Sequence, residues 1–217
     1  MIVPRVHPLG DAGFTIELGQ QRSAELLSRI HSAAAQIARA EIDSVQDVVP
    51  AYLGLTVFYD PLRNSFAQIS TQVLDVLAKR SDSQRPESVT HHIIPVRYDG
   101  MDLNAVASAC GITAADVISL HSGRTYTVDL LGFVPGWAYL SELDPRLQIE
   151  RRPQPRPRVA AGSVAIAATQ TGIYPLDTPG GWHIIGKTDT VMFDAQRDPP
   201  TLLKAGDTVQ FESVRVS

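Results

Sequence analysis

The sequence has little of three things: cysteine, charge of one sign, and long apolar runs. A single cysteine, Cys110, among 217 residues excludes an internal disulfide and any zinc site built from several thiolates. Lysine and arginine number 19 against 23 acidic residues, so the small net negative charge argues against nucleic acid as the main partner. No window approaches the ~20 apolar residues of a membrane span, and the amino terminus lacks the apolar run of a signal peptide. We therefore expect a cytoplasmic protein that binds neither membrane nor nucleic acid.

The first part of the chain combines strand and helix patterns. Two short strands and a helix with one apolar face are followed by paired strands around Pro50 and by a second helix. This order predicts a small sheet with helices on one face, a ferredoxin-like α/β sandwich over residues 1–85. The polar, proline-containing stretch from Ser83 to Thr90 marks the predicted domain boundary.

The second part, residues 90–217, begins with a strand and two short helices. The sequence predicts Thr113 as the N-cap of the second helix, with Asp116 completing a shortened capping box. A helix–glycine–helix arrangement is also found in DNA-binding motifs, but the second helix has no arginine or lysine, which favours a packing hairpin. From Thr125 onward, short strands separated by glycine and proline predict a closed or nearly closed β-barrel. The predicted fold class is therefore α+β.

The stretch GWHIIGKT, Gly181 to Thr188, fits the phosphate-loop pattern G-x-x-x-x-G-K-[ST]. A phosphate loop needs a helix directly after its lysine, because the helix N-terminus binds the phosphates. Here Val191 and Phe193 favour a strand, and Pro199 with Pro200 excludes a long helix. We predict that the match is accidental and that ATP is not bound through this segment.

Two stretches suit ligand binding, each with a structural alternative. Leu130 to Leu143 brackets Phe133 and Tyr139 with glycine and proline, which lets a ligand approach the backbone; a barrel corner filled by aromatics explains the same pattern. Arg151 to Val159 is held extended by alternating prolines and carries a row of arginines. These arginines could hold a carboxylate or phosphate, or form a solvated strip or a partner's docking edge.

A third stretch, Ala168 to Gly186, is rich in glycine, proline and polar side chains. Gln170, Thr171 and Tyr174 could converge at a barrel mouth around a small polar ligand, although turn formation alone explains such residues. The six histidines form no metal-binding pattern, so no metal site is predicted. His121 ends a helix, where a cation is favoured, or else faces the pocket as an acid or base.

Two blocks, GFVPGWAYL and PRPRVAAGSVAIAATQTGIYPLDTPGGWHIIGKT, resemble the signature of the 5-oxoprolinase B-subunit family. The family is also known as KipI or allophanate hydrolase subunit one, and the likeness extends over nearly the whole chain. It implies a ferredoxin-like domain followed by a cyclophilin-like β-barrel. It also implies an ATP-dependent complex that opens 5-oxoproline (pyroglutamate) to glutamate. The implied partners are the 5-oxoprolinase C-subunit, which is a barrel-based, carboxyltransferase-like protein, and a LamB/YcsF-type subunit.

The resemblance leaves a second function open, because one branch of the family implies an inhibitor of a sensor histidine kinase. An allophanate hydrolase activity is disfavoured, since the serine-rich amidase signature is absent from the sequence. Lys187 stands where the family commonly has arginine, which is a further sign that the G-K-T spelling is accidental.

The candidate site residues follow from side-chain chemistry, because the resemblance supplies a motif but no agreed catalytic residue. The predicted catalytic residues are His121, as a proton carrier, Gln170 and Tyr174. The predicted substrate-binding residues are Arg156, Arg158, Thr171, Gly180, Gly181, Phe133 and Tyr139. One of the two arginines would hold the substrate carboxylate, and the barrel mouth would meet the partner barrel to form a shared pocket.

Overall fold

A computed structural model describes residues 4–79 and 89–214 of the chain. The chain divides into two compact units, Met1–Val89 and Thr90–Ser217, each with its own sheet and its own apolar core. The predicted boundary from Ser83 to Thr90 lies largely outside the described residues.

Within residues 4–79 the first unit forms four strands and two helices. They are β1 (Arg5–Pro8), β2 (Gly13–Glu17), α1 (Ala24–Arg39), β3 (Val45–Pro50), β4 (Gly54–Tyr59) and α2 (Phe66–Ala78). Both helices begin after a serine whose side chain accepts a backbone N–H bond, Ser23 for α1 and Ser65 for α2. Ser65 and Gln68 form a reciprocal capping box, which satisfies two otherwise free N–H groups.

The four strands form one antiparallel sheet in the order β1-β2-β4-β3. Both helices pack on it, because Ile30 of α1 and Ile69 of α2 are fully buried in one core with Ile16 and Val57 of the sheet. The succession β2-α1-β3-β4-α2 is the ferredoxin-like core, and β1 pairs beside β2 in the remaining sheet position. The predicted ferredoxin-like sandwich is confirmed, with its outer strand placed before the helices instead of after them.

Within residues 90–214 the second unit forms nine strands, two α-helices and a 3₁₀ turn. They are β5 (His91–Val96), α3 (Leu103–Cys110), α4 (Ala114–Ser122), β6 (Thr125–Leu131), β7 (Ala138–Ser141), the 3₁₀ turn (Pro145–Leu147), β8 (Arg156–Val159), β9 (Ser163–Ala167), β10 (Gln170–Ile173), β11 (Thr178–Gly180), β12 (His183–Lys187) and β13 (Thr208–Ser213). The capping box predicted at the start of α4 is present, with Thr113 and Asp116 bonded to each other's backbone N–H.

Seven of these strands form one sheet in the order β12-β9-β10-β7-β6-β13-β5. Its edges meet, because Arg97, directly after β5, exchanges two backbone hydrogen bonds of 2.8 Å with Lys187 of β12. The sheet therefore curls into the nearly closed barrel that the sequence predicts. Along β9, Val164 faces the main barrel core, whereas its neighbour Ala165 faces a separate aromatic cluster.

The helices α3 and α4 pack on the barrel core, where Val106 and Val117 are fully buried. Cys110 is half-buried beside them, and burial raises the pKa of its thiol. Over the described residues no single helix is both long and apolar enough to cross a membrane. Only α3 and α4 taken together, as a pair bent by 95°, reach the required length and composition.

Two local details differ from the sequence predictions. The arginine-rich stretch is extended, but its end forms a paired strand: β8 lies antiparallel to β11 in a separate two-stranded sheet. The strand predicted from Val191 and Phe193 is wrong, since Phe193 makes an isolated bridge with Thr201 and nothing longer. A turn intervenes, closed by a hydrogen bond from the Asp194 N–H to the Pro200 carbonyl oxygen.

Candidate functional site

A cleft of about 370 Å³ lies on the second unit, where β8, β9 and β12 approach the segment that follows β5. This volume suits a small molecule, since ligand pockets usually span ~300–1,000 Å³. The polar residues that line it are Asp99, Arg156, Arg158, Ser163 and Lys187. The remaining lining residues are glycines and apolar side chains, so these five residues supply the polar side chains that can orient a ligand.

Two glycines allow backbone segments of the cleft wall to approach closely. A Cβ on Gly100 would lie 2.3 Å from the carbonyl carbon of Ile185, and a Cβ on Gly186 would lie 2.6 Å from the carbonyl oxygen of Arg97. Any larger residue would force these backbones apart. The Gly100 N–H also donates to the Ile185 carbonyl oxygen at 3.2 Å, so this segment is fixed against β12.

Asp102 is a buried carboxylate that joins the segment after β5 to β8 and β12, which border the cleft. Its oxygens accept two hydrogen bonds from Arg156, at 2.7 and 2.9 Å, and one from the backbone N–H of Ile184 at 2.8 Å. Arg152 adds a longer contact of 3.4 Å. Burial alone would raise the pKa of Asp102, but the bonds from Arg156 and Ile184 outweigh it, and the pKa falls below its usual value. The guanidinium of Arg156 is therefore engaged in a two-pronged contact with the protein's own carboxylate.

Arg158 is an exposed side chain at the edge of the cleft. Its Nε donates to Asp177 at 2.8 Å, and the backbone N–H of Ala161 donates to the same carboxylate at 2.8 Å. These bonds, that of Ala161 first, lower the pKa of Asp177. The structure thus brings both arginines that were predicted to hold a carboxylate to the cleft. It also shows each of them paired with a carboxylate of the chain.

Three polar residues of the cleft lack such a pair. Lys187 of β12 and Ser163 of β9 are cross-strand neighbours, and Asp99 belongs to the segment after β5. Among the residues that the structure describes, none of these three side chains makes a hydrogen bond or an ion pair.

His121, a predicted catalytic residue, lies in the barrel core and does not line the cleft. Its fully buried ring stacks on Phe211, with centroids 4.5 Å apart. Its Nδ1 lies 2.7 Å from the Tyr98 hydroxyl, and its Nε2 lies 2.8 Å from the Thr171 hydroxyl. Thr171 gives its proton to the carbonyl oxygen of Ala165, so His121 Nε2 must donate and Nδ1 must accept. Burial lowers the pKa of His121 to about 3, and the ring is neutral.

Several other predicted site residues gather around Trp137, which is almost fully buried. Its ring contacts Tyr174 and Trp182 at centroid distances of 4.7 and 5.0 Å, and Phe133 and Tyr139 at 5.8 Å each. Phe133 is exposed and has a backbone φ of 69°, a conformation that non-glycine residues rarely adopt. The Trp137 Nε1 is buried without a hydrogen-bond partner among the described residues.

Gly180, a predicted substrate-binding residue at the end of β11, packs directly against this aromatic cluster. A Cβ on Gly180 would lie 2.1 Å from the hydroxyl of Tyr174, a side chain that is 1% exposed. Gly181 accepts a backbone hydrogen bond of 2.8 Å from Arg152, and the half-buried Gln170 begins β10. The predicted site residues therefore fall in separate places. Arg156 and Arg158 lie at the cleft, His121 and Thr171 lie in the core, and the aromatics with Gly180 lie around Trp137.

Sequence reasoning missed Asp99, Asp102, Ser163 and Lys187 as site residues. A usable signal for the first two was present, because two acidic residues bracket a glycine immediately after the predicted strand IIPVRY. The pairing of Asp102 with Arg156 had no local signal, since the two residues are 54 positions apart in the sequence. Lys187 belongs to the G-K-T spelling of a phosphate loop, a pattern that gives no hint of its place at the cleft.

The segment Gly181 to Thr188 contains β12, and no helix follows it within the described residues. The helix N-terminus on which a phosphate loop depends is therefore missing at this position. Among the described residues, no group of three or more His, Cys, Asp or Glu side chains could hold a metal ion.

Comparisons with known proteins agree with this architecture. The family model for the carboxyltransferase domain, subdomain C and D, matches residues 4–203. The chain is 37% identical to the 5-oxoprolinase B-subunit of Bacillus subtilis (strain 168), over 98% of this chain and 93% of that protein. It is 39% identical to the 5-oxoprolinase B-subunit of Escherichia coli O157:H7, over 95% of this chain and 94% of that protein. The crystal structure of TTHA0988 is 39% identical, with a TM-score of 0.84 over 94% of this chain.

The chain therefore belongs to the 5-oxoprolinase B-subunit family, within the carboxyltransferase C and D domains, and the resemblance seen in its sequence is confirmed. A B-subunit implies a multi-subunit enzyme complex for those relatives. The chain spans 40% of the length of the TTHA0988 chain, so that protein contains further sequence beyond this fold.

Proposed function

We propose that this chain is one subunit of an ATP-dependent 5-oxoprolinase, which hydrolyses 5-oxoproline to glutamate in the cytoplasm. The observation that carries the proposal is 37% or greater identity, over nearly the whole chain, to relatives that are B-subunits of 5-oxoprolinase. The cleft adds support, because it has the size of a small-molecule site and cations at its border. The proposed partners are the 5-oxoprolinase C-subunit and a LamB/YcsF-type subunit.

The proposed reaction needs more than this chain. 5-Oxoproline is a five-membered cyclic amide, and its carbonyl carbon is a poor electrophile. Phosphorylation of the amide oxygen by ATP makes that carbon easier for water to attack, and the site must stabilise the negative charge that develops. Because Gly181 to Thr188 contains the strand β12 and no phosphate-loop helix follows it within the described residues, ATP is assigned to the complex and not to this segment.

Reconstitution of the complex tests the proposal. The chain is purified and mixed with the C-subunit and the LamB/YcsF-type subunit, and glutamate formation from L-5-oxoproline is measured with and without ATP. We expect glutamate only when all three proteins and ATP are present. Mixtures that omit one protein at a time are the controls. No glutamate from the complete set, with every protein shown to be folded, would overturn the proposal.

A further inference from the structure

Most charged side chains around the cleft form ion pairs with other side chains of the protein. Three carboxylates are each held by an arginine: Asp102 by Arg156, Asp177 by Arg158, and Asp189 by Arg97. The first of these carboxylates is buried, so taking Arg156 away to bind a ligand would leave an uncompensated charge inside the protein. Arg156 is therefore a poor candidate for the main ligand contact, and the exposed Arg158 is already paired with Asp177.

Among the described residues, the polar side chains of the cleft that form no hydrogen bond or ion pair are one ammonium, one hydroxyl and one carboxylate, the last of which acts on Arg97 through its charge. Lys187 and Ser163 stand opposite each other on β12 and β9, which places their side chains on one face of the sheet. Asp99 lines the same cleft from the segment after β5. In the part of the chain that the structure describes, these three side chains have no hydrogen-bond or ion-pair partner, so their hydrogen-bonding capacity is available to a ligand.

The charge of Lys187 acts on two of the carboxylates that the arginines hold. The pKa of Asp177 is lowered first by the Ala161 N–H, that of Asp189 first by Arg97, and each is lowered further by Lys187. The positive charge of Lys187 therefore acts on both carboxylates, yet among the described residues its exposed side chain forms an ion pair with neither.

We propose that Lys187 and Ser163 bind the carboxylate of the ligand and that Asp99 accepts its N–H. The ligand class is a small carboxylic acid with an N–H beside the acid-bearing carbon. This inference rests on the proposed function, because 5-oxoproline has a ring N–H next to that carbon. Arg156 and Arg158 act as positioning residues, which hold β8 and its neighbours in place through Asp102 and Asp177.

Equilibrium binding to the full chain, alone and with its two partner proteins, tests this assignment. The probes are L-5-oxoproline, 2-pyrrolidone, which lacks the carboxylate, and the lactone analogue, in which an oxygen replaces the ring N–H. The variants are Lys187→Met, Lys187→Arg and Asp99→Asn. The matched control is Lys204→Met, at an exposed lysine that does not line the cleft.

We expect Lys187→Met to weaken 5-oxoproline binding about tenfold or more and to leave 2-pyrrolidone binding unchanged, since one charge-assisted contact is lost. Lys187→Arg retains most of the affinity, and Lys204→Met behaves as wild type. Asp99→Asn reduces the preference for the lactam over the lactone, because an amide can also donate to the ring oxygen. If Lys187 and Asp99 had a purely structural role, their variants would bind all three probes more weakly and to the same extent.

The outcomes separate this inference from the proposed function. The inference is overturned if Lys187→Met binds 5-oxoproline with wild-type affinity, or if Asp99→Asn prefers the lactam as strongly as the wild type. It is also overturned if the wild-type protein, alone or with its partner proteins, does not bind 5-oxoproline. If the wild-type complex hydrolyses 5-oxoproline and the Lys187→Met complex does so equally well, the inference is overturned and the proposed function stands. Lys187-dependent binding without hydrolysis by the complete complex supports the inference and counts against the proposed function.

Discussion

The buried His121 makes the second unit sensitive to mild acid. An exposed histidine titrates near pH 6.5, and this is the state of His121 in the unfolded chain. In the folded chain burial lowers its pKa to about 3. Between these two values the unfolded state binds a proton that the folded state does not. The stability that the neutral His121 contributes is therefore fully present above pH 6.5 and is lost as the pH falls from 6.5 toward 3.

The size of the effect follows from the pKa difference. Each pH unit below 6.5 costs about 1.4 kcal/mol, and the change from pH 7 to pH 5 costs about 2 kcal/mol from this residue alone. That is a large share of the ~5–15 kcal/mol by which folded proteins are stable. Above pH 7 His121 causes no further change in the free energy of unfolding.

Urea unfolding at pH 7 and pH 5 measures this loss. Trp137 and Trp182 are the two tryptophans of the sequence and both belong to the second unit, so their fluorescence reports on that unit. We expect the wild type to lose about 2 kcal/mol more than His121→Asn between the two pH values. His91→Asn, at an exposed position of β5, is the control and behaves as wild type. Equal losses in the wild type and His121→Asn would refute the reasoning.

Three further predictions concern the cleft. Asp102→Ala should destabilise the second unit by about 2–4 kcal/mol in the same urea titration, because Arg156 loses its buried partner. Gly100→Ala should lower Tm by several degrees in thermal unfolding, since the added Cβ would meet the backbone of β12 at 2.3 Å. Gly132→Ala, where the nearest atom lies 3.6 Å away, should change Tm little. Lys187→Ala should leave any ATP affinity of the isolated chain unchanged in calorimetric titration.

Each of these measurements has an opposite result that counts against it. An Asp102→Ala variant as stable as the wild type would show that the carboxylate is not a needed counter-ion. Equal Tm values for Gly100→Ala and Gly132→Ala would mean that the wall tolerates a side chain. A collapse of ATP affinity in Lys187→Ala would restore the phosphate-loop interpretation.

Much of the fold was predictable because its signals are local. The apolar face that contains Leu26, Ile30 and Ile37 predicts α1, and the alternation that ends at Val57 and Tyr59 predicts β4. The capping box of Thr113 likewise depends on residues within one turn. The strands β7 and β11 carried weaker signals, because four residues or fewer do not establish a period.

The candidate site was less predictable because it depends on contacts between distant parts of the chain. The sequence shows that Arg156 and Arg158 lie on an extended segment, but it does not show which carboxylates hold them. The burial of His121 was equally hidden, since a histidine at a helix end suits either solvent or a core. Only the closure of the barrel decides that its ring meets Phe211 and Thr171.

The place of β13 in the sheet has a consequence for biosynthesis. This strand lies between β6 and β5, and its Thr208 pairs with His91, which is 117 positions earlier in the chain. Pairing over such a separation is slow, because the entropy of closing a long loop is lost before any stabilising contact forms. On the ribosome, β5 therefore lacks its parallel neighbour until residue 213 has emerged from the exit tunnel, although Arg97, directly after β5, can pair earlier with Lys187 of β12. The first unit has no such delay, so it can complete its own sheet while the barrel is still being translated.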